Sequence, residues 1–168
     1  VIPIKGLSTN FEDKNLLVES IKYLQSCSLV SEIFVSTDNV ETAKIAKDNG
    51  ARAPFIRPIE LSDESVGLPD VLKYTVEEIE KVRKIDLVVI VEENYPFRPK
   101  ELLTKLINNI IEGGYDTVCA SIIEQRSIWL DAQQGIHAIG DSLMGSRRTK
   151  PEKIHINLFG LGAVTYVD

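Results

Sequence analysis

The 168-residue chain is poor in cysteine, histidine, tryptophan and methionine, with 2, 2, 1 and 1 of each. Cys27 and Cys119 lie far apart in apolar settings, which excludes a disulfide framework and a zinc site and reads as buried thiols in a reducing compartment. His137 and His155 have no metal-ligand spacing to each other or to a cysteine, so a structural role is read for both. Positive charge is also short: 19 Lys and Arg stand against 25 Asp and Glu, for a net charge of −6. That balance argues against a nucleic-acid or membrane-surface partner. No apolar run approaches the roughly 20 residues that cross a bilayer. The 10 glycines form neither a P-loop nor a dinucleotide fingerprint, and no Ser-His-Asp order is present. The chain opens on Val1 without a signal-peptide pattern. The expectation is a cytoplasmic protein with a few leading residues missing.

What is present is an ordinary globular balance, 43% hydrophobic and 26% charged, at about one domain's length. Short β-branched runs alternate with helical stretches. Val1-Ile2-Pro3-Ile4 reads as the end of a buried strand, and Asn15 to about Ser26 as a helix. Ile33-Phe34-Val35 reads as a second strand, followed by a helix over 40–49 capped by Ser36-Thr37-Asp38-Asn39 and closed by Gly50. A helix over 68–84 precedes the almost wholly apolar strand 86–91. Pro99 starts a helix that Gly113-Gly114 ends, and 117–121 is a further strand. Residues 122–153 are polar and mixed, and 154–168 is strand-like again, broken by Gly160 and Gly162. Alternating strands and helices imply a three-layer α/β domain with a mainly parallel sheet, strand 86–91 near its centre, and one domain over 1–168 with an excursion at about 122–153.

In such sheets ligands bind beyond the carboxyl ends of the strands. Loop 5–15 contains Lys5, Gly6, Ser8, Lys14 and Asn15. Two ammonium groups and a helix start can hold phosphate, and a solvated loop with an Asn cap explains the same residues. Ser36-Thr37-Asp38-Asn39 suits a ribose or a metal, though capping explains it better. Arg57, between Ile56 and Pro58, suits planar recognition of a base or phosphate, or a surface ion pair with Glu60. Glu92 and Glu93 follow the most buried strand and suit cation binding, acid–base work or simple solvation.

Taken together, Ile2-Pro3-Ile4-Lys5-Gly6-Leu7-Ser8 with Lys14-Asn15, then Val35-Ser36-Thr37-Asp38, Gly50-Ala51 and Pro54-Phe55-Ile56-Arg57-Pro58-Ile59-Glu60-Leu61, resemble the sugar-acid cytidylyltransferases in order and spacing. These are the CMP-sialic acid synthetases and their relatives. Tyr115 to Ser121 and Gly162-Ala163-Val164 resemble later strands of that family. The resemblance implies a nucleotide-diphospho-sugar transferase fold of the glycosyltransferase-A type. It also implies transfer of CMP from CTP to a nonulosonic sugar acid, with pyrophosphate leaving and Mg²⁺ neutralising the triphosphate. By position it makes Lys5 and Lys14 catalytic, and Lys5, Gly6, Ser8, Lys14, Asn15, Arg57, Glu92 and Arg98 nucleotide-binding. It further implies a homodimer paired through the excursion.

Some positions depart from the family pattern. Leu7 and Asn10 replace glycines, Glu12-Asp13 replace Pro-Gly, Glu92 replaces a neutral Gln, Gly67 a Ser, and Leu161 an Asn. The family's Asp-x-Asp metal pair would lie beyond Asp168, so no metal ligand is assigned and the C-terminal part of the family domain is expected to be absent. A member that keeps the fold without turnover, serving as a binding or assembly subunit, is the alternative.

Overall fold

A computed structural model describes residues 10–11, 14–63, 65–124, 126, 128–133, 135–139 and 153–167. Val1–Ile4, Lys5, Gly6, Leu7, Ser8, Glu12 and Asp13 lie outside the described residues, as does the 140–152 stretch. In chain order the elements are β1 (Asn10–Phe11), β2 (Lys14–Asn15), α1 (Leu16–Gln25), α2 (Val40–Asp48), α3 (Leu68–Glu80), β3 (Leu87–Ile90), α4 (Leu102–Gly113), β4 (Thr117–Cys119), β5 (Ser121–Glu124), β6 (Ile128–Ala132), β7 (Gly135–Ile139), β8 (Ile154–Asn157) and β9 (Ala163–Tyr166). The chain divides into two compact units, residues 1–120 with 159–168, and residues 121–158.

In the larger unit the helix ends follow local chemistry. Asn39 Oδ1 accepts the Glu41 and Thr42 N–H groups at 2.8 and 3.0 Å, which starts α2 at Val40. Gly50 takes φ 84° just past α2, and Gly114 takes φ 67° past α4, conformations that L side chains rarely adopt. Pro99 does not begin α4. Its carbonyl accepts the Leu102 N–H at 3.1 Å, and the helix starts three residues later than the sequence suggests.

The core forms where α1 and α4 cover one face of the sheet. Leu17, Ile21 and Leu24 of α1 meet Leu103, Leu106, Ile107 and Ile110 of α4 over Val91 and Val164. These spacings put each apolar set on one side of its helix. α3 covers the sheet from a second layer, where the Thr75 hydroxyl lies 2.8 Å from Ser36 Oγ.

The described ladder has the order β3-β9-β4. β9 is antiparallel to both neighbours, with Leu87↔Tyr166 through Ile90↔Ala163 on one side and Thr117↔Thr165 through Cys119↔Ala163 on the other. β3 and β4 therefore point the same way, as strands joined by a crossover helix should. Outside this ladder, an isolated parallel bridge joins Phe34 and Arg52. Among the described residues, β9 holds the middle of this ladder, with β3 and β4 on either side. The reason is non-local, because β9 enters from the far end of the chain.

In the smaller unit, β5 pairs antiparallel with β8, and β6 with β7. Arg126 Nε donates to both carboxylate oxygens of Glu124 at 2.9 Å. Trp129, Leu130 and Ile136 are exposed at 53%, 52% and 64%.

Candidate functional site

The described candidates gather around three features of the larger unit. The first is the start of α1. Asn15, at φ −75° and ψ 120°, caps the helix by accepting the Val18 N–H on Oδ1 at 3.1 Å. Lys14 is exposed immediately before it, paired with Phe11 across β1 and β2. An ammonium beside the free amides of a helix start is a favourable place for an anion. The Glu19 carboxyl in the first turn is held below its ordinary range, chiefly by the 2.9 Å hydrogen bond from Lys22, with Lys14 adding through its charge.

The second feature joins strand end 36–37 to the turn at 58–62. Arg57 is 8% exposed, with Nε donating to Ser62 Oγ and Nη1 to the Ser36 carbonyl, each at 3.2 Å. Its N–H donates to the Thr37 carbonyl at 2.8 Å. Burial pulls the guanidinium pKa down, and Asp38 opposes that shift through its charge. The planar fork is thus spent partly on protein acceptors, and no ion pair with Glu60 occurs among the described residues. Thr37 Oγ1 accepts the Asn39 N–H at 3.1 Å, so 36–39 does act as capping.

The third feature is the loop after β3. The Glu92 N–H donates to the Gly160 carbonyl at 2.9 Å. Glu92 lies so close to this glycine that a Cβ there would stand 2.6 Å from the Glu92 Cδ and 2.9 Å from the Tyr95 ring. Glycine at 160 is what lets the loop approach β9. Arg98 then ties the loop down. Its Nε donates to the Leu161 carbonyl at 3.1 Å, Nη1 to Ser20 Oγ at 3.2 Å, and Nη2 to the Glu92 carbonyl. Its guanidinium sits 5.5 Å from the Tyr23 ring centroid, and the Tyr23 hydroxyl donates to the Pro99 carbonyl at 2.8 Å. Burial lowers the Arg98 pKa, while Tyr23 and Glu92 push it back up.

Lys14, Asn15, Arg57, Glu92 and Arg98 are therefore placed, whereas Lys5, Gly6 and Ser8 lie outside the described residues. The partners that sequence reasoning missed are Ser20, Ser62, Thr75 and the Leu161 carbonyl. Only Ser62, five residues beyond Arg57, left a local signal. Among the described residues no group of three or more His, Cys, Asp or Glu gathers to hold a metal. Among them, no helix is long and apolar enough to cross a membrane.

The solved structure of a CMP:2-keto-3-deoxy-manno-octonic acid synthetase complexed with CTP superposes with a TM-score of 0.61 at 15% identity, covering 98% of this chain and 72% of that one. The shared fold is the nucleotide-diphospho-sugar transferase fold. A pseudaminic acid cytidylyltransferase of Campylobacter jejuni is 26% identical over 121 residues, 67% of this chain and 52% of the relative. A CMP-N,N'-diacetyllegionaminic acid synthase of Legionella pneumophila is 26% identical over 141 residues, 77% of this chain and 60% of the relative. The chain spans about half the length of these curated relatives. The cytidylyltransferase family model matches residues 2–140, and the chain belongs to that family.

Proposed function

We propose that this chain binds CTP and carries the nucleotide side of cytidylyl transfer to a nonulosonic, sialic-acid-type sugar. In that reaction a sugar hydroxyl attacks the α-phosphorus of CTP. The bond to the bridging oxygen breaks, pyrophosphate leaves with the electron pair, and the hydroxyl proton passes to solvent or a base. The observation that carries the reading is Lys14 and Asn15 at the head of α1, in a chain matched by the cytidylyltransferase model over 2–140. The Lys14 ammonium and the first-turn amides would hold phosphate charge. Lys5, Gly6 and Ser8 would join them as the family resemblance implies, with Arg57 on the cytidine side and Glu92 and Arg98 in the opposite loop. Mg²⁺ belongs to the proposal only as the resemblance implies it, with no ligand assigned.

Calorimetric titration of CTP, with and without Mg²⁺, is the test. Lys14→Ala should weaken binding by about 1.5–3 kcal/mol, the worth of a charge-assisted hydrogen bond. Equal affinity of the two proteins would move the site elsewhere. CTP binding without pyrophosphate release in the presence of sugar acids would favour the binding-subunit alternative.

Glu92 offers a second, electrostatic test. An acid where the family has a neutral Gln repels a triphosphate. Glu92→Gln keeps the shape, so CTP should bind tighter by roughly 1 kcal/mol, with less gain at high salt. Loss of Mg²⁺-dependent binding would instead make Glu92 a metal ligand, and no change would put it outside the site.

Assembly is the third element of the proposal. Trp129, Leu130 and Ile136 expose apolar surface on the β6–β7 hairpin. Exposed apolar surface of this kind marks contact surfaces. A homodimer through this hairpin is expected, and light scattering at micromolar concentration that reads a monomer would refute it.

A further inference from the structure

Asn49-Gly50 is the only Asn-Gly pair in the chain. Glycine has no side chain to shield its backbone nitrogen from the preceding amide, so this pair can react with itself. The Gly50 nitrogen attacks the Asn49 Cγ and a C–N bond forms. The side-chain nitrogen departs as ammonia, taking with it the proton that the Gly50 N–H gives up. Water then opens the five-membered imide at either carbonyl. One opening gives aspartate, and the other gives isoaspartate, in which the main chain runs through the former side chain. The step consumes one water, releases one ammonia and needs no other reactant.

The folded turn holds this pair back in three ways. Gly50 takes φ 84° and its N–H donates to the Lys47 carbonyl at 3.1 Å, while the Ala51 N–H donates to the Ala46 carbonyl at 3.0 Å. These bonds close α2 as a Schellman turn, so the attacking nitrogen is occupied. Ring closure also requires that nitrogen eclipsed with the Asn49 Cβ, which ψ 16° at Asn49 does not give. Finally, Asn49 Nδ2 donates to the Ile45 carbonyl at 2.8 Å, which turns the side chain back along the helix. One bond from outside keeps the turn shut. Gln25 Nε2, at the end of α1, donates to the Asn49 carbonyl at 2.9 Å, and this contact is exposed to water. A helix end latched by exposed hydrogen bonds opens far more often than the whole molecule unfolds.

We propose that Asn49 is a self-modification site: when the last turn of α2 opens, Gly50 N closes on Asn49 Cγ, and the Gln25 latch sets how often that open form is reached. The product bears on the fold. Aspartate puts a carboxylate where Nδ2 donated, facing the Ile45 carbonyl at the negative end of the helix. Isoaspartate lengthens the main chain by one methylene just before Gly50. Ala51, 6% exposed, belongs to the core cluster, and Arg52 next to it bonds the Ile33 carbonyl and the Val35 N–H at 2.7 and 2.8 Å. An added methylene puts these residues out of step with the turn that delivers them. The step needs no nucleotide and does not rest on the proposed transfer.

The test holds the full 168-residue chain at mildly alkaline pH and body temperature, without nucleotide. Each asparagine is followed by peptide mass spectrometry, with fragmentation that separates isoaspartate from aspartate. Asn49 is expected to convert first, and at least about tenfold more slowly in the folded chain than in the same chain in urea. Gln25→Ala should raise the folded-chain rate about threefold or more and leave the rate in urea unchanged. Should Gln25→Ala not fold, Gln25→Leu, of similar size and without the donor, takes its place. Another asparagine converting first would overturn the proposal. So would equal rates in the folded chain and in urea, or a folded-chain rate that removal of the Gln25 donor leaves unchanged.

Discussion

Arg98→Ala should lower the unfolding free energy by about 3–5 kcal/mol, read as a fall in urea midpoint at unchanged slope. The guanidinium bridges the Leu161 carbonyl, the Ser20 hydroxyl and the Glu92 carbonyl. Truncation leaves all three without their donor, and each orphaned group costs roughly 1–3 kcal/mol, less than additively. It also removes the cation from the Tyr23 face. Arg98→Lys keeps the charge without the planar fork, so it should restore less than half of the loss. A change under about 1 kcal/mol for Arg98→Ala would mean that the loop after β3 holds itself in place. CTP affinity separates positioning from contact: if Arg98 acts only through the loop, the lysine variant should recover affinity in step with stability.

Ile110→Ala should cost about 2–5 kcal/mol, the range for removing a large aliphatic side chain from a tight core. Ile110 is 0% exposed and packs within the α1–α4 cluster over Val91 and Val164. The spread reflects how far its neighbours can close the gap. Under conditions where it remains folded, the variant should bind CTP as tightly as the parent, because α4 carries none of the candidate nucleotide-binding residues. Weakened binding in proportion to lost stability would show that the core sets the geometry of the site.

Much of the helical layer was legible in the sequence because its signals are local. Asn15, Asn39, Gly50 and Gly114 mark helix ends through their own side-chain acceptors or backbone freedom, and the structure uses them that way. The apolar run 86–91 reads as a strand for the same kind of reason. Pro99 misled by three residues, since a proline fixes its own φ but does not choose which following N–H opens the helix. The pairings within 121–158 and the place of β9 were not legible. A two-residue alternation says that a segment is extended, but not which strand it meets or in which direction. The candidate site divides similarly. Arg57 and Arg98 stand out as cations, yet their acceptors, Ser62, Ser36, Ser20 and Leu161, are ordinary residues that only the fold brings within reach.

The position of β9 also sets a timetable for making the protein. Tyr166 pairs with Leu87 across 79 positions of chain, and Thr165 with Thr117 across 48. While a ribosome is still reading the codons between, β3 and β4 are translated but have no strand to join them. The nascent chain must keep two apolar edges from meeting other chains until residues 163–166 emerge. High contact order of this kind slows folding and lengthens the exposure of sticky intermediates. Shortages of chaperone should therefore reduce the yield of this protein more than that of a helical bundle of equal length.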